Sequence, residues 1–310
     1  MSRKYLLFIP VVLLGLIAAI VLVNHDHPKD EPKKHIRCAL CQYGTRLRDL
    51  EWNFNHALHE AEEAARHGAD VIVLPEFSFV ACLDLKDGKG WFNLKEKRDW
   101  LRRIRSFTRN NNVYLFVNHP AVVFHHHSTN RYNQTQIFGP DGSVVATYRK
   151  RFLSLMEISF DMAMGKTPTI AELPFGKLGL MICKDSMFME EFKQYASADL
   201  VVIQYAFLTF WGNSPVVPRG FRERSRDSLA TFNMLITNGI SHIRRPMLLC
   251  NKSGLEGEFL YNGSSAIVDS SGKILHQSDT GTDIVYVDIP VDESGKICGE
   301  PSPVPIPVEP

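Results

Sequence analysis

Apolar positions along the chain follow two alternating periods after an opening stretch that follows neither. Residues 6–23, LLFIPVVLLGLIAAIVLV, are uncharged and apolar on every face. From His35 onward, short apolar runs exchange with stretches of helical spacing. HIRCALCQY (35–43) reads as a first strand, and residues 50–66 carry apolar side chains near helical spacing, with Gly68 as the stop. ADVIVLPE (69–76) is a short run of the kind buried on both faces of a sheet. The spacing predicts a second helix over 95–109 and a long strand over 113–124. YNQTQIF (132–138), the turn PDGS and VVATYRK (144–150) read as a hairpin. KLGLMICKDS (177–186) predicts a strand running into a turn, DLVVIQY (199–205) a buried strand, and residues 224–238 a helix. MLLCN (247–251), SSAIVDSSGKILHQ (264–277) with a tight turn at 270–272, and DIVYVDIP (283–290) complete the sheet material. The tail EPSPVPIPVEP holds too much proline for a regular helix or a central strand. This order predicts one large α/β domain, a mixed sheet with helices on its faces.

The first 34 residues form a separate unit. Residues 6–23 at about 1.5 Å per residue reach about 27 Å, enough to cross a thin hydrocarbon core. A cleaved signal peptide has a shorter apolar stretch followed by a small-x-small site, whereas Ala18-Ala19 lies inside the run. The expectation is an uncleaved single-pass membrane helix. Arg3 and Lys4 before it nearly balance Lys29, Lys33, Lys34 and Arg37 after it, and an extracytoplasmic domain is slightly preferred. NHDHPKDEPKK (24–34) reads as a polar linker, so the expected division is 1–34 anchor and linker, 35–292 folded domain, 293–310 tail.

Composition narrows the function. With 310 residues, 45% hydrophobic and 22% charged, the chain has the make-up of an ordinary globular protein. Lys+Arg 35 against Asp+Glu 34 gives a net charge of +1, which supplies no long-range field for nucleic acid. Six cysteines are too few for a disulfide scaffold of this length.

Glu76, Lys150 and Cys183 each end an apolar strand, where a rigid scaffold presents reactive groups. Singly, each has an ordinary reading: a cap or surface charge, a solvated lysine, a buried thiol filling space. Together, an acid, a cation and a thiol are what acyl transfer through a thioester requires.

The segments LPEFSF (74–79), YRKRFL (148–153) and MICKDSMF (181–188) resemble the three signature regions of the nitrilase, or carbon–nitrogen hydrolase, superfamily, in order and in separation. The flanking YNQTQIFGPDGSVVATYRK, LLCNKSG (248–254) and YNGSSAIVDSSGKIL (261–275) are similar to it too, so the resemblance covers roughly 35–290. It implies an α-β-β-α sandwich that often pairs sheet to sheet in a dimer. It also implies hydrolysis or transfer at a non-peptide carbon–nitrogen bond, with no metal or organic cofactor. By position, it implies Glu76 as general base, Lys150 as electrophilic stabiliser and Cys183 as nucleophile. Glu157, in LSLMEISF, matches a second glutamate that many members carry, and would orient Lys150 or help position substrate.

In that reading Lys150 favours the thiolate and Glu76 takes the thiol proton. The Lys150 ammonium and the Lys184 backbone N–H then hold charge on the carbonyl oxygen. Lys184 stands where the family often has an aromatic residue. A second cation there either lowers the thiol pKa further or binds an anionic substrate, and the second use is preferred because Lys150 already supplies a cation. AFLTFWGNSPVVPRGFRERSR (206–226) is expected to shape the pocket entrance, with a solvated surface helix as the alternative.

The remaining candidates are ordinary. Cys38-x-x-Cys41 has metal spacing without a second pair, and its members fall on opposite faces of a strand. His125-His126-His127 reads as a solvated loop, and Cys82, Cys250 and Cys298 as packing or incidental thiols. The expected protein is a membrane-anchored amidase for a small amide or nitrile. An N-acyltransferase, with an amine replacing water at the thioester, is the enzymatic alternative. A catalytically inactive ligand- or partner-binding module is the other, and the intact Glu76, Lys150 and Cys183 argue against it.

Overall fold

β1 (His35–Gln42) sends its side chains alternately into two cores, as the period of two requires. Cys38 and Leu40 enter one cluster, Ala39 and Cys41 the other, so the two cysteines do lie on opposite faces. The structure, a computed structural model, describes residues 33–305 except 87, 89, 92–93, 126–127, 211–238, 240–241 and 258. The apolar run at 6–23, the predicted helix at 224–238 and most of 206–226 lie outside the described residues. Among the described residues no helix is long and apolar enough to cross a membrane.

Beside β1 lie β15 (Asp283–Pro290), antiparallel, and β2 (Val71–Val73), parallel. β3 (Tyr114–His125), β4 (Ser128–Phe138) and β5 (Val144–Arg149) extend this sheet, and β16 (Ser302–Val304) closes its other edge. Pro303 thus sits in an edge strand, where a missing N–H is tolerated. The second sheet is built from β6 (Thr169–Leu173), β7 (Gly176–Ile182), β8 (Leu200–Tyr205), β10 (Met247–Asn251), β13 (Ala266–Val268) and β14 (Ile274–Gln277). Its order is β14-β13-β10-β8-β7-β6. A small third sheet joins β9 (Leu208–Phe210), β11 (Ser253–Glu256) and β12 (Phe259–Asn262).

The two large sheets face each other across a dry layer. Leu40, Val73 and Phe116 of the first meet Leu180, Val202 and Leu248 of the second. The first sheet's outer face is covered by α1 (Leu50–Arg66) and α2 (Leu94–Asn111), whose Phe54 and Trp100 rings stack at 4.7 Å. Asp49 caps α1 by accepting the Trp52 N–H at 3.2 Å, and Gly68, at φ +79°, follows its end as expected. On the far side, Met181, Ile203 and Leu249 pack against Phe192, Tyr195 and Ile243. The layering is that of a mixed α/β sandwich.

Two local differences from the expected elements have simple causes. β4 starts at Ser128, not at 132, because β3 offers it a partner as far as His125, which pairs with Ser128. The half-polar segments SGLE and FLYN pair as β11 and β12 although neither alternates strongly, since each lies beside a strand that satisfies its backbone.

Candidate active site

Three strand ends converge where the two sheets meet. Glu76 follows β2, Lys150 follows β5 and Cys183 follows β7. The Glu76 N–H donates to the Tyr205 carbonyl at 3.2 Å, which fastens the end of the first sheet to the end of β8 in the second. The Lys150 N–H donates to the Asn133 carbonyl at 2.9 Å, and its own carbonyl accepts the Gly165 N–H at 2.7 Å. A Cβ at Gly165 would stand 2.0 Å from the Arg149 carbonyl oxygen, so only glycine permits that approach.

Cys183 opens a one-turn 3₁₀ segment, Cys183–Met187, at φ +45°, a left-handed conformation that disfavours a side chain. Asp185 holds this turn. One of its oxygens accepts the Ile182 N–H at 2.9 Å and the Tyr148 hydroxyl at 2.7 Å. The other accepts the Arg151 and Phe152 N–H groups at 3.1 and 2.8 Å, tying the Cys183 turn to the segment after Lys150. Burial raises the Asp185 pKa to about 6, against those donors and Lys150.

The charged groups form one buried cluster. Lys150 Nζ lies 2.7 Å from Glu76 Oε1 and 2.9 Å from Glu157 Oε2, and all three side chains are at most 3% exposed. Glu157 has two tasks. In a capping box at α3 (Leu155–Ser159), its N–H donates to Ser154 Oγ at 3.2 Å and its Oε2 accepts the Ser154 N–H at 2.7 Å. The same carboxylate reaches Lys150, the contact that the first of its two expected uses requires. Burial opposes charge on Lys150, yet Glu157 and Glu76 outweigh it and hold the ammonium well above the ordinary lysine pKa. Burial also works against the Glu157 charge, and Lys150, Asn133 and Ser154 bring its pKa below the usual range.

Lys150 favours the Cys183 thiolate, as expected, but is outweighed. Burial and then the Glu76 carboxylate push the thiol pKa up, against Lys150. The reason is local: the ammonium is already neutralised by two carboxylates. The cluster therefore presents a neutral thiol beside the Glu76 carboxylate. Lys184, the other expected cation, turns its Nζ to the Leu153 carbonyl at 2.7 Å.

A cavity of about 530 Å³ opens over these groups. Glu76, Lys150, Glu157, Cys183 and Lys184 all line it, so the five residues assigned to the chemistry meet at one cavity. Phe207, Leu208, Phe259 and Tyr261 supply the apolar side. Lys184 is the one lining cation among the described residues that lacks a carboxylate partner.

Four contributors escaped the sequence reading. Asn133 donates to both Glu76 and Glu157, at 2.8 and 2.7 Å. Its signal was available: in YNQTQIF, Asn133 shares a strand face with Ile137, which belongs to the layer between the sheets. Asp185 gave no comparable signal. Behind the cavity, Lys252 and Glu256 form a second buried ion pair at 3.0 Å, and Glu256 accepts the N–H of the cavity residue Cys82 at 2.6 Å.

Residues 37–297 match the family model for carbon-nitrogen hydrolases. The chain belongs to the carbon–nitrogen hydrolase family. A hydrolase of Schizosaccharomyces pombe is 26% identical over 277 residues, covering 84% of this chain and 78% of the relative. An omega-amidase of Mus musculus is 24% identical over 258 residues, covering 79% and 85%. Among solved structures, a cysteine-to-alanine mutant of a Nesterenkonia AN1 amidase of the nitrilase superfamily superposes with a TM-score of 0.66. That likeness, at 20% identity, covers 85% of this chain and 94% of the amidase, and it shows the shared fold. The protein is therefore an enzyme of the class that acts on carbon–nitrogen bonds.

Proposed function

We propose that this carbon–nitrogen hydrolase cleaves a carboxamide through a thioester on Cys183. The observation that carries the reading is the placement of the Cys183 thiol beside the base Glu76, with Lys150 held between Glu76 and Glu157. Cys183 Sγ attacks the amide carbonyl carbon while Glu76 takes the thiol proton. The carbonyl oxygen becomes negative and is held by Lys150 Nζ and the Lys184 N–H, a kind of contact whose loss costs about 2.7–4 kcal/mol. Glu76 returns the proton to the nitrogen, the carbon–nitrogen bond breaks, and the amine leaves. Water then attacks the thioester, giving its proton to Glu76, and the carbon–sulfur bond breaks to release acid and thiol. A Nesterenkonia AN1 amidase mutant solved with the acetamide moiety of fluoroacetamide added covalently at its active-site cysteine supports a nucleophilic role for Cys183.

Lys184 extends the reading to an acidic group on the substrate. The residue lines the cavity and its ammonium has a carbonyl, not a carboxylate, as partner, so a substrate carboxylate would complete it. Residues 6–23 would attach the enzyme to a membrane as a single-pass anchor, supported by their length and lack of charge.

Incubation with an amide panel followed by mass spectrometry tests the chemistry. A Cys183 acyl adduct is expected, and Cys183→Ala should hold less than about 1% of wild-type turnover while remaining folded. Retention of turnover by Cys183→Ala sinks the mechanism. Lys184→Met should raise KM for succinamate about tenfold or more and leave the neutral isostere 4-methylpentanamide within about twofold. Equal losses on both amides would remove the acidic-substrate reading and leave the thioester intact.

A further inference from the structure

Glu76 and Glu157 share one ammonium in a buried site. Two carboxylates around one cation tend to take up a proton, and a protonated Glu76 is no base. Asn133, 1% exposed, lies between them and spends its amide group on the pair, with Nδ2 2.8 Å from Glu76 Oε1 and 2.7 Å from Glu157 Oε1.

The direction of that amide is dictated by the chain itself. The Phe77 backbone N–H, a donor that cannot reverse, gives its hydrogen to Asn118 Oδ1 at 2.7 Å. Asn118 must then present its NH₂ at the other end, and Nδ2 donates to Asn133 Oδ1 at 2.8 Å. Asn133 in turn can present only NH₂ to the carboxylates. Asn118, fully buried, is held by its own N–H to Ser78 Oγ at 3.1 Å and by Nδ2 to Thr135 Oγ1 at 3.2 Å. A donor one residue past the base thus returns, through two asparagines, as donors to the base.

We infer that Asn133, aimed by Asn118, is the positioning residue that keeps Glu76 and Glu157 together as carboxylates around Lys150. It leaves Glu76 Oε2 to the Ala206 N–H at 2.8 Å and to the thiol side of the site. The other titratable groups facing the pair are Cys183, Asp185, Tyr205, Cys82 and Tyr261, and Lys150 is the cation among them. The inference rests on Glu76 acting as base in the thioester reading, so its first readout requires no turnover.

Alkylation of Cys183 by iodoacetamide is followed across pH in the wild type, Asn133→Leu and Asn118→Leu. Removing donors favours the protonated carboxylates, so the acidic limb should move to higher pH by about one unit in Asn133→Leu and by less in Asn118→Leu. In amide hydrolysis, kcat should fall about 100-fold in Asn133→Leu, with KM within about threefold. A folded Asn133→Leu whose limb stays in place overturns the inference, as does a loss that appears in KM alone. If Asn133→Leu does not fold, Asn118→Leu, one bond removed from the carboxylates, decides by the same limb. A moved limb in a protein whose wild type never forms an acyl adduct would defeat the amidase reading and leave the relay standing.

Discussion

Glu157 shows how one side chain can serve structure and chemistry together. Its carboxylate closes the first turn of α3 through the Ser154 N–H and, on the same oxygen, meets Lys150. The S-x-x-E spacing of a capping box is present in SLME, with Ser154 as the cap, although the sequence reading placed no helix there. The consequence for acid stability has a definite sign. The folded-state pKa lies below the ordinary glutamate value. The stabilisation is therefore complete above about pH 4.3 and is lost as pH falls through the lower folded value. Glu157→Gln should lose about 3 kcal/mol at pH 7, because Lys150 keeps only Glu76. Below pH about 4 its Tm should depend on pH less steeply than that of the wild type. Parallel Tm–pH curves for the two proteins would show that the carboxylate is not linked to folding.

At the scale of elements, the strands with fully apolar runs were legible and the ones that finish the cavity were not. VIV and LVVIQY are buried on both faces and announce themselves. β9, β11 and β12 are three or four residues long, and their pairing depends on neighbours distant in sequence. The small sheet they form carries Leu208, Phe259 and Tyr261 on the cavity wall, and a buried pair fastens it to the body. Lys252 Nζ donates to Thr45 Oγ1 at 2.8 Å, to the Val80 carbonyl at 3.0 Å and to Glu256 Oε2 at 3.0 Å. Gly44 makes room for the join, since a Cβ there would lie 2.5 Å from the Ser253 carbonyl oxygen. With all three lysine hydrogens used, this cluster is a fastening and not a second reactive site. Lys252→Met leaves Glu256 charged and buried without its cation, a loss of about 3–5 kcal/mol. Urea titration should show a lower midpoint with an unchanged slope, and Lys252→Met/Glu256→Leu should recover part of it. A midpoint equal to that of the wild type would mean that water reaches Glu256 in the single mutant.

At the scale of the whole molecule, the candidate catalytic groups and His35 lie at opposite ends of the first sheet. β1 runs parallel to β2, with Cys38 opposite Val71 and Leu40 opposite Val73. Glu76 leaves the end toward which both strands run, whereas His35 stands at the other, and a strand of eight residues spans about 26 Å. Lys150, Cys183 and the cavity gather at the Glu76 end. Were residues 6–23 an anchor, the described chain would leave it at the end of the first sheet remote from the cavity, an arrangement that suits substrates arriving from water. The full chain should sediment with membranes and resist carbonate, and a protein beginning at His35 should remain in solution. On a water-soluble amide the two should agree in kcat/KM within about threefold, since His35 and Glu76 lie at opposite ends of the first sheet. Added phospholipid vesicles should compete with neither. A full-length enzyme that gains tenfold on an acyl-chain amide presented in vesicles would place the cavity at the membrane surface and overturn this orientation.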